Sequence, residues 1–351
     1  MSQAIYFDGC SNVDFLFNDI YAEYSNFIGS GDTIYVVNFY DCEDMEVDKN
    51  TIEGIGHTYI YGVVIRAEDF TLYGNEINMV SDSYCAWGID IEEDSTGNVQ
   101  SNRIFLESPN VTYGIYACNW NMFGQTVNYT SNIIYAESYA AYGMELLYGD
   151  ESLIESNEIK LHGNYTVGIG EMMMDGPAII TSNEINVFGT NKDMANVGDS
   201  VPAVTVAIFS MGESKINNNI ITSTGNWTII NSGYDVEITD NYLVSSELLG
   251  DDSVDDRSDD AVVENNVPIA NATSYNVTKD TFYLFFDEDG ELRDGITAES
   301  LTFIGEFSEL TDQIVIGSPV ALYSDNATLH DMELLIASND VYVDGFTFIS
   351  D

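Results

Sequence analysis

The chain has 351 residues, with 59 Asp and Glu against nine Lys and Arg, for a formal charge of −50 at neutral pH. This excess excludes nucleic acid as a natural partner, because phosphate recognition needs basic side chains. It also disfavours bare polyanionic substrates unless a divalent cation bridges them, and it predicts a salty or mineral-rich setting that screens self-repulsion.

From the N-terminus, a phrase Asn-x-Ile recurs every 22 to 36 residues. Its asparagines are Asn18, Asn50, Asn75, Asn102, Asn132, Asn157, Asn183, Asn219 and Asn241. A period of this size signals a solenoid or an array. Two positions after each asparagine stand Ile20, Ile52, Ile77, Ile104, Ile134, Ile159, Ile185, Ile221 and Leu243. Three positions before it stand Phe15, Val47, Leu72, Val99, Tyr129, Ile154, Ile180, Ile216 and Ile238. The intervening positions are mostly polar, so each copy reads as strand, bend, strand. In five copies a glycine follows 11 to 13 residues later and opens a further apolar strand, at Gly62, Gly88, Gly114, Gly143 and Gly168. Three short strands per repeat and no useful helical periodicity predict an all-β parallel β-helix over residues 1–247. About nine coils at the spacing of neighbouring strands make a rod of roughly 40 Å. One coil cannot bury its own apolar residues, so its neighbours must do so. The asparagine suits the bend because it tolerates unusual backbone angles and bonds nearby backbone. In register it can also form an amide ladder.

Four copies carry the phrase most fully: residues 100–104 (Gln-Ser-Asn-Arg-Ile), 130–134 (Thr-Ser-Asn-Ile-Ile), 155–159 (Glu-Ser-Asn-Glu-Ile) and 181–185 (Thr-Ser-Asn-Glu-Ile). The pattern resembles the right-handed parallel β-helix repeat of the pectate-lyase-like superfamily. More narrowly, it is similar to the large adhesin-like surface proteins of methanogenic archaea. The resemblance implies a right-handed solenoid and an extracellular, cell-surface location. It leaves activity open, since the superfamily holds lyases, hydrolases, tailspikes and adhesins.

The repeat dissolves after Val244. Residues 248–267 are expected to be an acidic linker or loop, because residues 250–260 carry six Asp in eleven positions. Calcium is the sharper reading of Asp251, Asp252, Asp255 and Asp256, since carboxylates are calcium ligands, although the spacing is not that of an EF-hand. Residues 268–351 form a second, smaller β region. Residues 281–287 read as a buried strand and 287–290 as a turn. Short strands are predicted at 300–305, 313–317, 319–323, 327–329, 333–336 and 341–343. Residues 338–348 resemble the opening of another β-helix in the same adhesin-like family. Neither end shows a recognisable cap, a signal peptide or a membrane-spanning stretch, so the chain is expected to be part of a longer surface protein.

Cys10 and Cys42 both lie eight residues before a repeat asparagine, so they can stack. A disulfide is conceivable there, with buried free thiols the preferred reading. The other cysteines, Cys85 and Cys118, form no Cys-x-x-Cys pair, so zinc and redox sites lack support. Seven Asn-x-Ser/Thr sequons begin at Asn110, Asn128, Asn164, Asn226, Asn271, Asn276 and Asn326. They suit glycosylation of an exported protein, and chance in an Asn- and Thr-rich chain explains them equally well.

The chain lacks the Gly-His-Gly and Arg-x-Lys signatures of β-helix hydrolases. His57, His162 and His330 have no recognisable catalytic neighbour, and Arg66 and Arg103 fall in different columns without a lysine partner. The best remaining constellation is Asp90, Tyr116 and Glu145, which should point outward from successive coils. Asp90 and Glu145 would sit roughly 10 Å apart, slightly beyond the carboxyl separation of inverting glycosidases. The plainer reading is a solvated face with one aromatic. A second outward strip holds Arg103, Phe105, Ile133, Tyr135, Glu158 and Lys160. The candidate ligand-binding residues are Tyr116, Arg103, Phe105, Tyr135 and Lys160, with long loops at 26–33, 188–202 and 248–260 as display sites. The expected function is a noncatalytic, adhesin-like surface protein that binds glycans or other cell-surface molecules, with no cofactor unless calcium. The alternative is a polysaccharide hydrolase or calcium-assisted lyase on the same scaffold.

Overall fold

A computed structural model describes residues 2–23, 33–119, 126–148, 151–172, 177–192, 204–246, 248–258, 260–267, 274–279, 282–287, 289–293, 296, 298–308 and 310–350. Twenty-five strands join in one sheet whose pairings within residues 2–264 are parallel, coil on coil. The chain is therefore a parallel β-solenoid. Its inner wall follows from the register. Ile52 pairs with Ile77, then Ile104, Ile134, Ile159, Ile185, Ile221 and Leu243 continue the column. All are fully buried in one continuous core, and each such side chain contributes about 1.5–3 kcal/mol of hydrophobic stabilisation.

The asparagines form the expected ladder. In each rung one side-chain oxygen accepts both the backbone N–H and the Nδ2 of the previous asparagine. Asn132 Oδ1 accepts from Asn102 N at 3.0 Å and Asn102 Nδ2 at 3.1 Å. The second amide hydrogen goes to the carbonyl of the apolar residue three positions before the previous rung, as in Asn132 Nδ2 to Val99 O at 2.8 Å. The amides thus satisfy buried backbone that a sharp corner would otherwise strand. The unusual backbone angle, however, belongs to the residue before the asparagine. Lys49, Ser101, Ser131, Ser156 and Ser182 have φ of 52° to 58° there, and Gly74 has 65°.

The ladder has a tenth rung. Asn241 donates to Asn266 Oδ1 from its backbone at 3.0 Å and its side chain at 2.8 Å. Val254–Asp256 and Val262–Glu264 pair in parallel with the coil beneath. Residues 248–267 are therefore not a linker, as the charge run suggested, but the last described coil of the solenoid. The acidic side chains lie outward or cap the ladder, so the charge run and the strand pattern coexist.

A separate set of parallel strands follows. Ser274–Val277, Ser300–Phe307 and Ala321–His330 pair in order, with Tyr342–Asp344 and Thr347–Ile349 on the last, and Gln313–Ile316 pairs with Glu333–Ile336. Phe282, Phe286, Phe303 and Phe307 anchor its own core. The strand expected at residues 281–287 is instead a single helical turn, Phe282–Phe285. The turn stacks the Phe282 and Phe286 rings at 4.9 Å, a spacing that an apolar run satisfies as readily by helix as by strand.

Candidate functional site

The glycine strand makes a re-entrant corner. A methyl group on Gly88 would lie 2.5 Å from Gly114 O and 2.5 Å from Ile104 Cγ2, and the other corner glycines are equally confined. The backbone presses inward onto the isoleucine column, which leaves room only for a hydrogen. Outward-facing residues on the two sides of the corner therefore converge.

One side carries an aromatic stack. Tyr35, Tyr61, Trp87, Tyr113 and Tyr142 occupy one register column. Successive ring centroids lie 4.9, 4.2, 5.3 and 5.0 Å apart, and from Tyr61 onward the rings are nearly parallel. Such offset stacks add about 0.5–1.5 kcal/mol per pair beyond their burial. The stack is absent from the sequence-based expectation, although the chain carries its signal: each aromatic from Tyr61 onward immediately precedes a corner glycine.

The other side carries the acidic column. Asp90, Tyr116 and Glu145 stand in register on three successive coils. The Tyr116 ring meets Tyr113 edge-on at 5.6 Å, which joins the two columns into one groove. The plainer expectation, a solvated face, is corrected here. Glu145 is fully buried and Asp90 is half-buried. Burial, reinforced by the Glu92 carboxylate, raises the Asp90 carboxyl to about 8. Burial likewise pushes up the phenols of Tyr61, Tyr113, Tyr116 and Tyr142, so the groove is a row of protonated phenols beside carboxyl groups. In later coils Val167, Phe209 and Ile230 fill the groove as part of a second apolar cluster.

The outer strip next to the ladder is a different surface. Arg103 lies over the Phe105 ring at 5.7 Å and Lys160 over Tyr135 at 5.9 Å. The structure extends the strip beyond the predicted set. Tyr135 meets His162 at 5.9 Å, and His162 stacks on Phe188 at 4.8 Å. His162 and Phe188 then help line a cleft of about 480 Å³ with Thr190, Lys192, Lys279 and Tyr283. Lys279 Nζ donates to Ser308 Oγ at 3.4 Å. Tyr116 is thus separated from Arg103, Phe105, Tyr135 and Lys160: it belongs to the groove, and the other four belong to the strip.

The acidic run has local partners. Asp251 Oδ1 accepts from the backbone and side chain of Asn266 at 2.9 and 2.6 Å, so it caps the ladder. Asp255 pairs with Arg257 at 2.6 Å, and Asp256 accepts from Asn231 Nδ2 at 2.9 Å. Asp252 is exposed. Among the described residues, no group of three or more His, Cys, Asp and Glu is arranged to hold a metal ion. The four cysteines are free thiols, and Arg66 pairs with Asp41 at 3.1 Å. Of the expected display loops, residues 26–32 and 193–202 lie outside the described residues. Among the described residues, no helix is long and apolar enough to cross a membrane. Set against protein-family models, curated proteins and solved structures, the chain matches none.

Proposed function

We propose that this chain is a noncatalytic, adhesin-like element of a cell surface, with the solenoid as a rigid support for glycan recognition along the outer strip. The observation that carries this reading is the continuity of the strip. Half-buried aromatics run from Phe105 through Tyr135 and His162 to Phe188, and end at a cleft of ordinary ligand size. Sugar rings pack on aromatic surfaces, and neighbouring charged and hydroxyl side chains orient their hydroxyls. The coil register fixes the strip, so little ordering entropy opposes binding. Calcium enters this reading only as a screening or bridging ion. The test is a glycan array with the intact chain, followed by titration of any hit against Tyr135→Ala and Phe188→Ala. Each variant is expected to weaken binding at least tenfold, on the order of 1.4 kcal/mol; unchanged affinity in both would remove the strip from consideration. Surface labelling of intact source cells tests the location.

A second reading, an acid-pair polysaccharide hydrolase, is favoured by one feature of the groove. Asp90 retains its proton near neutrality, as a general acid must. Release of reducing ends from a polysaccharide panel, with and without calcium, tests it. Activity abolished by Asp90→Asn or Glu145→Gln would overturn the noncatalytic reading.

A further inference from the structure

Cys10 and Cys42 occupy the same place in successive coils. The pairing offset is the same on both sides of them, from Asp8↔Tyr40 to Ser11↔Glu43, which sets Cys10 over Cys42. The local backbone repeats as well: Gly9 and Asp41, the residues before the two cysteines, have φ of 60° and 50°. Gly9 N–H donates to Tyr40 O, and Glu43 N–H to Cys10 O, both at 2.9 Å. Each thiol donates to the carbonyl two residues back, Asp8 O and Tyr40 O, at 3.5 Å. The side chains therefore leave parallel backbones in the same direction. Neighbouring strands lie about 4.8 Å apart, inside the roughly 4.4–6.8 Å Cα separation that a disulfide spans. Cys85 and Cys118 have no such neighbour, since Cys85 pairs with Tyr59 and Val111, and Cys118 with Leu147.

We propose that Cys10 and Cys42 are a redox-sensitive staple, closed to a disulfide by a low-molecular-weight disulfide oxidant. Cys10 is half-buried and Cys42 is buried, so the oxidant meets Cys10 first. The Cys10 thiolate attacks one sulfur of oxidised glutathione, and one glutathione thiolate leaves. The Cys42 thiolate then attacks the Cys10 sulfur of the mixed disulfide, and the second glutathione leaves. The two protons given up by the cysteines end on the two departing glutathione thiolates, so the oxidant is reduced to two thiols. Burial suppresses ionisation of Cys42, so its attack draws on a small thiolate fraction held beside the Cys10 sulfur by the coil register. The bond would tie the first coil to the second. That coil is held on one side only among the described residues, by pairing of Ser2–Asp8, Ser11–Leu16 and Asp19–Glu23 with the strands that follow. Its outer strands are largely exposed.

The experiment treats the intact chain with oxidised glutathione and maps its peptides by mass spectrometry. The expected product links Cys10 to Cys42, is two hydrogens lighter than the reduced chain and retains no glutathione. Amides of Asp19–Glu23 should then exchange more slowly than in the reduced chain, on the order of a hundredfold. Cys42→Ser is expected to trap a single glutathione on Cys10. Retention of two glutathiones by the wild type, a link to Cys85 or Cys118, persistent thiols at both positions, or an unmodified Cys42→Ser variant would each overturn the proposal.

Discussion

Register gives many of the buried polar side chains their partners, and two of them make that measurable. The Asn132 side chain gives and takes four hydrogen bonds within 3.1 Å, with Asn102, Val99 and Asn157. Replacing it with alanine leaves buried backbone groups without partners, at an expected cost of about 3 kcal/mol. Asn18, the half-buried first rung, donates to Asn50 but accepts from no earlier rung among the described residues. Asn18→Ala should cost about 1 kcal/mol or less. Urea midpoints for the two variants check the contrast, and equal losses would show that the ladder is not the source. Glu171 is the second case. It faces inward in register with Ser210, fully buried, and its Oε2 accepts from Ser210 at 2.8 Å and Ser214 at 2.5 Å. Burial raises its carboxyl to about 7 despite those two bonds. The folded state thus holds a proton that the unfolded chain gives up above about pH 4.5. The contribution of this group to stability is complete below that pH, falls as pH rises to about 7, and levels off above it. Between pH 5 and pH 8, wild type should lose about 2.5 kcal/mol more than Glu171→Gln, as read from denaturant unfolding at both values.

At the scale of the element, the unit is the coil rather than the strand. Each complete coil repeats a post-ladder strand, a corner that is glycine in five copies, and a pre-ladder strand, and each is buried by its neighbours. Removal of residues 133–157 excises one register unit and places Ile159 over Ile104, Leu161 over Leu106 and Gly168 over Gly114. The shortened chain should fold with its ladder intact, whereas removal of half that length should abolish cooperative unfolding. Circular dichroism and thermal melts distinguish the two, and loss of structure in both would show that the coils are not interchangeable. The irregular coil lengths, from 22 to 36 residues between rungs, already show that insertions fall between the strands rather than within them.

At the scale of the whole molecule, charge and shape oppose one another. The chain carries a formal charge of −50, most of its residues stacked in one solenoid, and the self-repulsion weakens the folded state wherever screening is poor. Added sodium chloride, from about 0.01 to 1 M, shortens the Debye length from about 30 to 3 Å. The unfolding midpoint should rise across that range. A midpoint independent of salt would separate stability from net charge, and with it the argument for a saline setting.

The sequence by itself determined the inner wall, the ladder and the stacking direction, because a periodic contact leaves a periodic residue. Isoleucine two places after asparagine means one thing in every coil. It also placed Asp90, Tyr116 and Glu145 in one column and brought Phe105 and Tyr135 to one strip. The last coil leaves no clear trace in the sequence because Asn266 lacks the following isoleucine, and its six aspartates lie in or beside short strands that depend on pairing rather than composition. Only the tertiary structure decided what the columns face. Side-chain alternation says in or out, but not whether two outer faces diverge or close on each other. The glycine corner folds the backbone inward, so the aromatic and acidic columns converge and a carboxyl read as solvated becomes buried. That outcome depends on the angle between faces, which arises from packing across coils and leaves no period of its own in the chain.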